Sequence, residues 1–257
     1  MVRKIIFICF CFCVIAFIYA NWEKLSYRWH YRDFVPTEWS ETTTRVKTRI
    51  DTTEPVLALT MDACGSEGDS LDEELIDFLT EHEIPATVFI TGRWIDKYPE
   101  KFKHLAQNPL IEIENHGISH RPASLNGNSI YNIKGTASAG ELYDEVNANA
   151  DKIEKLTGRR PIYYRSGTAY YDEGATEMIE SMGFQSIGFA VLGDKGATYT
   201  AEEVESAFLT AKAGDIIICH MNHPEKETGK GLMRVLPQLK AKGFRFVLLK
   251  DYENQLQ

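Results

Sequence analysis

The sequence predicts an α/β fold in which about seven parallel strands form a distorted (β/α) barrel. From residue 55 onward, short segments rich in β-branched and aromatic residues alternate with segments of helical periodicity. Strands that alternate with helices are joined by crossovers and run parallel. Seven such strands can form an open sheet or a barrel, and we favour the barrel because an open sheet leaves two edges to protect.

Seven segments have the composition of strands and are bounded by proline, glycine or asparagine. They are residues 56–61, 86–90, 110–114, 162–165, 186–191, 215–220 and 245–249. Pro55, Pro85 and Pro161 each precede one of these segments, where strand pairing needs no backbone N–H.

Five segments between the strands show helical periodicity. They are residues 70–82, 140–157, 172–182, 201–212 and 231–242. Gly158, Gly183 and Gly243 follow three of them, and glycine favours the left-handed turn that ends a helix. Ser70 is the predicted N-cap of the first helix, with Glu73 three residues later.

The beginning of the chain has the pattern of a targeting segment. Arg3 and Lys4 precede an unbroken apolar run over residues 5–20, as in a secretory signal or a membrane anchor. We therefore predict an exported protein, located in the periplasm, the cell envelope or the medium, and both cleavage and anchoring remain open. The predicted parts are a signal peptide or anchor (1–20), a linker with an edge strand near 45–50 (21–54), and one large α/β domain (55–257).

The charge balance excludes one class of partner. The chain has 37 acidic and 28 basic residues, a formal net charge of -9. Without residues 1–20, which hold two bases and no acid, 26 bases remain against 37 acids, or -11. A nucleic-acid-binding protein needs a basic face, so we predict no nucleic-acid partner. The acidity also disfavours a strongly anionic polymer as a partner.

Acidic, basic and imidazole groups follow the predicted strands, where parallel α/β folds carry their catalytic residues. The groups are Asp62, His116, His120, Arg165, Asp194 and His220. His116 and His120 are four residues apart, and on one helical turn two such imidazoles can share a metal ion. Asp62 can act as a base or as a metal ligand, depending on its neighbours. His220 is a candidate general acid.

Four short motifs at these positions resemble those of the NodB-type polysaccharide deacetylases, carbohydrate esterase family 4, over about residues 45–250. Residues 60–64 (TMDAC) are similar to the T-F-D-D-G motif. His116 and His120 match H-[ST]-x-x-H, with Gly117 in place of Ser or Thr. Residues 165–170 (RSGTAY) are similar to the third motif, and His220 matches the last.

The resemblance implies an exported, metal-dependent hydrolase with a distorted (β/α) barrel, which removes acetyl groups from N-acetylated sugars such as those of peptidoglycan or chitin. The implied roles are Asp62 as the base that activates water, Arg165 as the residue that orients Asp62, His220 as the acid that protonates the leaving amine, Asp194 as the residue that tunes His220, and His116 and His120 as metal ligands.

One position departs from the family. The second Asp of the first motif, a metal ligand in the family, is Ala63 here. Either Asp62 also binds the metal, or waters complete a weaker site, or activity is lost. We predict Asp62 as both ligand and base, with Zn²⁺ as the metal and Co²⁺ or Ni²⁺ as alternatives. Cys64 can instead bind a soft metal or pair with Cys219 in a disulfide.

A stretch rich in Pro, Ser, Asn and Gly over residues 121–139 follows His120. A structureless loop of this length is often functional in a compact domain, so it is predicted either to wall a sugar groove or to be a surface insertion. Tyr131, Tyr170 and Tyr171 are the predicted sugar-stacking residues.

The sequence thus predicts a hydrolase that releases acetate from an N-acetylated polysaccharide, with the glycan as its partner and a possible membrane tether through residues 5–20. Three rival readings remain. The chain can be a carbohydrate-binding pseudoenzyme that has lost its metal, an amidase acting on a non-sugar amide, or an envelope scaffold.

Overall fold

The computed structural model describes residues 21–257, so the predicted signal or anchor in residues 1–20 lies outside the described residues. Within residues 21–257, no helix is both long enough and apolar enough to cross a membrane.

A parallel sheet forms the centre of the described chain. Its strands, together with one separate hairpin, are β1 (Val56–Ala63), β2 (Ala86–Ile90), β3 (Ile111–Asn115), β4 (Ser129–Ile130), β5 (Ile133–Lys134), β6 (Tyr163–Tyr164), β7 (Gln185–Ser186), β8 (Val191–Leu192), β9 (Ile216–His220) and β10 (Arg245–Phe246). The sheet order is β7-β6-β3-β2-β1-β9-β8, every neighbouring pair is parallel, and β10 pairs with the start of β1. Seven parallel strands therefore curl into a half-barrel, which confirms the predicted distorted barrel.

The predicted strand over residues 186–191 is wrong in its extent. β7 and β8 are separate strands at opposite ends of the sheet, and residues 187–190 connect them. Gly188 interrupts the apolar residues Ile187, Phe189 and Ala190 at the place where the chain leaves one edge for the other. An isolated glycine inside a strand pattern is a sign of a break, so the sequence did contain a signal here.

Helices surround the sheet. They are α1 (Trp22–His30), α2 (Glu73–Glu81), α3 (Gly92–Lys97), α4 (Pro99–Gln107), α5 (Ala139–Thr157), α6 (Glu173–Ser181), α7 (Ala201–Phe208) and α8 (Thr228–Ala241), followed by a 3₁₀ helix over Leu249–Gln255. All five helices predicted from periodicity are present, with somewhat different ends.

The N-cap of α2 differs from expectation, and two short helices between β2 and β3 are additional. Asp72, rather than Ser70, caps α2, because its Oδ1 accepts the N–H of Leu75 at 3.0 Å. α3 and α4 were not predicted from the sequence. Local chemistry starts both: Thr91 caps α3, and Pro99 is the first residue of α4.

Alternate residues of β1 face two different cores. Leu59, Met61 and Ala63 belong to the outer cluster, which includes residues of the surrounding helices, whereas Ala58 belongs to the inner cluster. Successive side chains of a strand point to opposite faces, so Asp62 points into the half-barrel.

Residues 21–54 pack against the rest of the described chain. α1 lies on α5, where Lys24 and Asp144 form an ion pair at 2.5 Å. Beyond α1, isolated bridges join Ser40 to Tyr171, Lys47 to Ile187 and Arg49 to Asp215. The continuous edge strand predicted near residues 45–50 is therefore replaced by single bridges to different partners.

The segment over residues 121–139 is not structureless, contrary to prediction. β4 and β5 form a hairpin whose two turn residues, Tyr131 and Asn132, have φ of 53° and 61°. Positive φ at both central residues is typical of a type I′ turn. The hairpin fixes the position of Tyr131.

Candidate active site

Four strand ends meet at the carboxyl edge of the half-barrel. Asp62 in β1 is paired in register with His220 in β9. Asn115, the last residue of β3, is paired with Tyr164 of β6, which immediately precedes Arg165. A parallel sheet brings its strand ends to one edge, and the side chains predicted from separate parts of the sequence therefore come together.

Arg165 is fully buried and holds Asp62 in place. Nη1 donates to Asp62 Oδ1 at 2.8 Å, while Nη2 donates to Thr60 Oγ1 at 2.8 Å and to the Gly188 carbonyl at 3.0 Å. The guanidinium carbon lies 4.2 Å from the centre of the Phe89 ring. This arrangement engages Oδ1 of Asp62 and leaves Oδ2 outside the ion pair.

His116 is buried with one ring nitrogen already engaged. Nδ1 lies 2.8 Å from the carbonyl oxygen of Arg165. Because a carbonyl oxygen only accepts, Nδ1 carries the proton and Nε2 of the neutral ring carries a lone pair. Nε2 lies 3.6 Å from Asp62 Oδ2 and 4.0 Å from Cys64 Sγ. Metal-binding histidines have this orientation, with the second nitrogen donating to a carbonyl or carboxylate.

His120 reaches the site from a loop rather than from the helical turn that its spacing predicted. Gly117 and His120 both have left-handed backbone, with φ of 81° and 63°. Glu145 of α5 holds this loop, because its Oε1 accepts the N–H groups of Ser119 and Arg121 at 3.0 and 3.1 Å. A Cβ on Gly117 would lie 2.3 Å from that same oxygen, which explains why glycine replaces Ser or Thr here. The sequence predicts the helix that contains Glu145, but nothing in the helical pattern indicates that this side chain binds the His120 loop.

Cys64 joins the two histidines in one cluster. Sγ of Cys64 and one nitrogen each of His116 and His120 all lie within 4.8 Å of one another. Burial raises the pKa of the Cys64 thiol, but the imidazoles of His120 and His116 outweigh burial and hold that pKa well below its usual value. Ala63 is fully buried in the outer cluster, away from these groups.

Cys64 and Cys219 do not form the disulfide that was considered from the sequence. Both are free and buried, and the Cys219 thiol donates to the carbonyl of Thr60 at 3.5 Å. Cys64 is thus available for the histidine cluster.

His220, which is partly exposed, forms a second pair with fully buried Asp194. Nδ1 of His220 lies 3.0 and 3.1 Å from the two carboxylate oxygens of Asp194, which also accepts the N–H of His220 at 2.7 Å and the hydroxyl of Thr228 at 3.1 Å. Burial lowers the pKa of His220, but the charge and hydrogen bond of Asp194 outweigh it and raise this pKa well above its usual value. The Cys64 side chain, which is also hydrogen-bonded to His220, raises this pKa further. Because Nδ1 donates to Asp194, Nε2 is the ring nitrogen that faces the remaining partners.

A cavity of about 500 Å³ opens over these groups. Asp62, Cys64, His120 and His220 all belong to its lining, so the base, cluster and acid candidates share one chamber. Glu41, from the segment predicted as a linker, also lines it.

An aromatic group stands beside the cavity. Tyr170 lies 6.0 Å from Tyr131 and 5.6 Å from Trp39 between ring centres, and Tyr131, which lines the cavity, is 65% exposed. Trp39 was not among the stacking residues predicted from the sequence, because its segment has the composition of a linker. Tyr171, by contrast, is fully buried and its hydroxyl accepts the N–H of Ser166, so the stacking role predicted for Tyr171 is corrected to a structural one.

Comparison with known proteins identifies the family that the sequence motifs resemble. Residues 49–187, more than half of the chain, match the family model described as polysaccharide deacetylase. The chain is 22% identical over 209 residues to the peptidoglycan-N-acetylmuramic acid deacetylase PdaA of Bacillus subtilis, covering 78% of this chain and 72% of that protein. It is 24% identical over 216 residues to a peptidoglycan-N-acetylglucosamine deacetylase of Bacillus cereus, covering 82% and 94%. It also spans 64% of an uncharacterized 30.6 kDa protein of Geobacillus stearothermophilus, at 25% identity over 186 residues and 69% of this chain.

Solved structures share the fold. PdaA of Bacillus subtilis superposes with a TM-score of 0.65 at 19% identity, covering 85% of this chain and 96% of that chain. A family 4 pseudoenzyme from Bacillus anthracis superposes with a TM-score of 0.67 at 18% identity, covering 80% and 67%. With the family model matching over half of the sequence, the chain belongs to the polysaccharide deacetylases of carbohydrate esterase family 4.

Proposed function

We propose that this chain is a metal-dependent deacetylase that hydrolyses the N-acetyl group of a peptidoglycan- or chitin-like polysaccharide and releases acetate. The observation that carries the proposal is the joint lining of one cavity by Asp62, held by Arg165, and by His220, held by Asp194. A positioned base and a positioned acid facing one chamber are what amide hydrolysis needs. The relatives named as peptidoglycan and chitooligosaccharide deacetylases support this substrate class.

The donor set of the site fits a divalent metal ion. His116 presents Nε2 with its other nitrogen engaged by a carbonyl, and His120 stands beside it with ring centres 4.9 Å apart. In our proposal these two imidazoles hold the ion, although Ala63 stands where the family has an Asp ligand. When bound, such an ion polarises the acetamide carbonyl and makes water a better nucleophile at neutral pH.

The protein's own groups move the protons. Asp62 accepts the proton of the attacking water at Oδ2, since Oδ1 is engaged by Arg165. His220 donates from Nε2 to the leaving amine as acetate departs, and Asp194 keeps the imidazolium available. The base and the acid are register partners on neighbouring strands, so both can reach a single acetamide group.

Tyr131, Tyr170 and Trp39 are the proposed sugar-binding wall. Tyr131 lines the cavity, Tyr170 lies next to Tyr131, and Trp39 lies next to Tyr170. Aromatic rings bury large apolar area, which suits the faces of sugar rings. The proposed site of action is the cell envelope or the exterior, because the apolar run over residues 5–20 has the pattern of an export signal or tether.

The direct test is acetate release from N-acetylated peptidoglycan and chitin oligomers, with and without a chelator. We expect release that stops on chelation and returns when Zn²⁺ or Co²⁺ is added. Glycan binding without acetate release would instead support the hypothesis that the chain is a pseudoenzyme. That hypothesis stays open because Ala63 replaces a metal ligand of the family. Release from simple amides but not from glycans would support the amidase reading.

Asp194→Asn is expected to make activity more sensitive to alkaline pH. His220 must be protonated to act as the acid, and Asp194 raises its pKa, so removing the charge of Asp194 lowers that pKa. The alkaline limb of the pH profile of kcat should move to lower pH, with a loss of about tenfold or more at pH 8 and a smaller loss at pH 6. A profile parallel to that of the wild type would contradict the role of Asp194.

A further inference from the structure

We infer that the thiolate of Cys64 is the third protein ligand of the metal, in place of the carboxylate that Ala63 lacks. The inference rests on the proposed function and goes beyond it, because it gives the site a sulfur ligand. Binding releases the thiol proton to solvent and leaves one negative charge on the ligand set of two neutral imidazoles and one sulfur.

The distances suit a shared ion. Tetrahedral zinc with ordinary Zn–S and Zn–N bonds places sulfur and nitrogen about 3.6 Å apart. Cys64 Sγ and His116 Nε2 are 4.0 Å apart, and His120 completes the cluster within 4.8 Å. Small side-chain movements, without rearrangement of the backbone, therefore bring all three atoms to one ion.

The backbone of Cys64 is held in place. Its carbonyl accepts hydrogen bonds from Thr91 Oγ1 at 3.0 Å and from Arg93 Nε at 2.7 Å. Gly65 follows with φ of 74°, and a Cβ there would lie 2.4 Å from Cγ of Arg93, so the chain can turn beside Arg93 only with glycine. Groups that fix a metal ligand in this way tune its affinity.

The carboxylate of Asp62, next to the metal-binding cluster, is already paired with Arg165. Asp62 is the acidic partner of fully buried Arg165, and its side chain belongs to the lining of the cavity. A buried guanidinium is costly without its carboxylate. With Cys64 as the anionic ligand, Asp62 is free to serve as the base alone, which narrows the double role predicted from the sequence.

A sulfur ligand changes which metal the site prefers. Thiolate favours Zn²⁺ and other soft or borderline ions, whereas carboxylate and water suit Mg²⁺, Ca²⁺ and Mn²⁺. We therefore expect the chain to retain Zn²⁺ or Co²⁺ and to bind Mn²⁺ poorly.

The test uses Co²⁺ as a spectroscopic probe on metal-free protein. We expect a near-ultraviolet sulfur-to-cobalt charge-transfer band in the wild type, no such band in Cys64→Ser, and Zn²⁺ affinity lowered by at least about 100-fold in that variant. Cys219→Ser is the matched control, because Cys219 is also a free buried thiol but lies outside the cluster, and it should keep the band. Cys64→Asp should bind Co²⁺ without the band.

A second measurement needs no variant. Zn²⁺ should protect Cys64, identified by peptide mass spectrometry, from alkylation in the wild type. Equal alkylation with and without metal, or the same cobalt spectrum in the wild type and Cys64→Ser, would overturn the inference. Activity that survives chelation, with an acetyl group found on Cys64, would also overturn it and make Cys64 a nucleophile. A protein that shows the cobalt band but releases no acetate keeps the sulfur ligand and overturns only the proposed function.

Discussion

Asp62→Asn is expected to lower kcat/KM for acetate release by about 10²–10⁴-fold, because an amide cannot accept the proton of the attacking water. The Asn carbonyl oxygen can still accept from Arg165 Nη1, so the side chain should keep its place. Acetate release, metal content and thermal unfolding should be measured on the same preparation. With Cys64 as the anionic ligand, the variant loses activity and keeps its metal.

Asp215→Asn is the matched control. Asp215 is likewise buried and paired with an arginine, Arg49, but it precedes β9 at the end opposite His220. The Asp215→Asn variant should be less stable than the wild type but should release acetate at the wild-type rate. Wild-type acetate release by Asp62→Asn would end the assignment of the base, and loss of metal from that variant would favour Asp62 as a ligand.

Arg165→Met is expected to lower the free energy of unfolding by about 3–5 kcal/mol, because it leaves the buried carboxylate of Asp62 without its partner. The hydroxyl of Thr60 and the carbonyl of Gly188 also lose their donor. Guanidinium denaturation measures the loss. Arg45→Met is the control: Arg45 is 39% exposed and paired with Glu180 at the surface, so its removal should cost at most about 1 kcal/mol.

The double variant Arg165→Met with Asp62→Asn separates the pair from the rest of the core. No unpaired charge is left buried in it, so it should be less destabilised than the sum of the two single variants. Additive losses would mean that Arg165 acts through packing and its other hydrogen bonds rather than through Asp62.

The periodicity of the sequence and the residue types at the predicted strand ends were enough to predict the parallel sheet and most of the candidate site. Alternating strands and helices imply parallel strands, and parallel strands bring their carboxyl ends to one edge. Asp62, His116, Arg165 and His220 could therefore be collected into one site from residues that are far apart in the chain. The same logic failed for residues 186–191, where apolar residues on both sides of Gly188 were assigned to one strand although the chain crosses there from one edge of the sheet to the other.

Side-chain contacts between segments that are distant in the sequence could not be predicted in this way. Glu145 reads as an ordinary helix residue, yet its carboxylate holds the loop of His120. Trp39 reads as part of a linker, yet it packs beside Tyr170. Tyr171 is next to Tyr170 in sequence, yet it is fully buried. None of these three outcomes has a local signature, because each depends on which segment lies opposite.

The sequence by itself determined the alternation of the fold, the acidic charge and the residue types gathered at the strand ends. Only the tertiary structure decided which of those groups can act together. Ala63 and Cys64 are adjacent, but Ala63 packs in the outer core while Cys64 lies beside two imidazoles. A strand turns successive side chains to opposite faces and the loop after it redirects the next one, so ligand identity depends on backbone direction rather than on position in a motif.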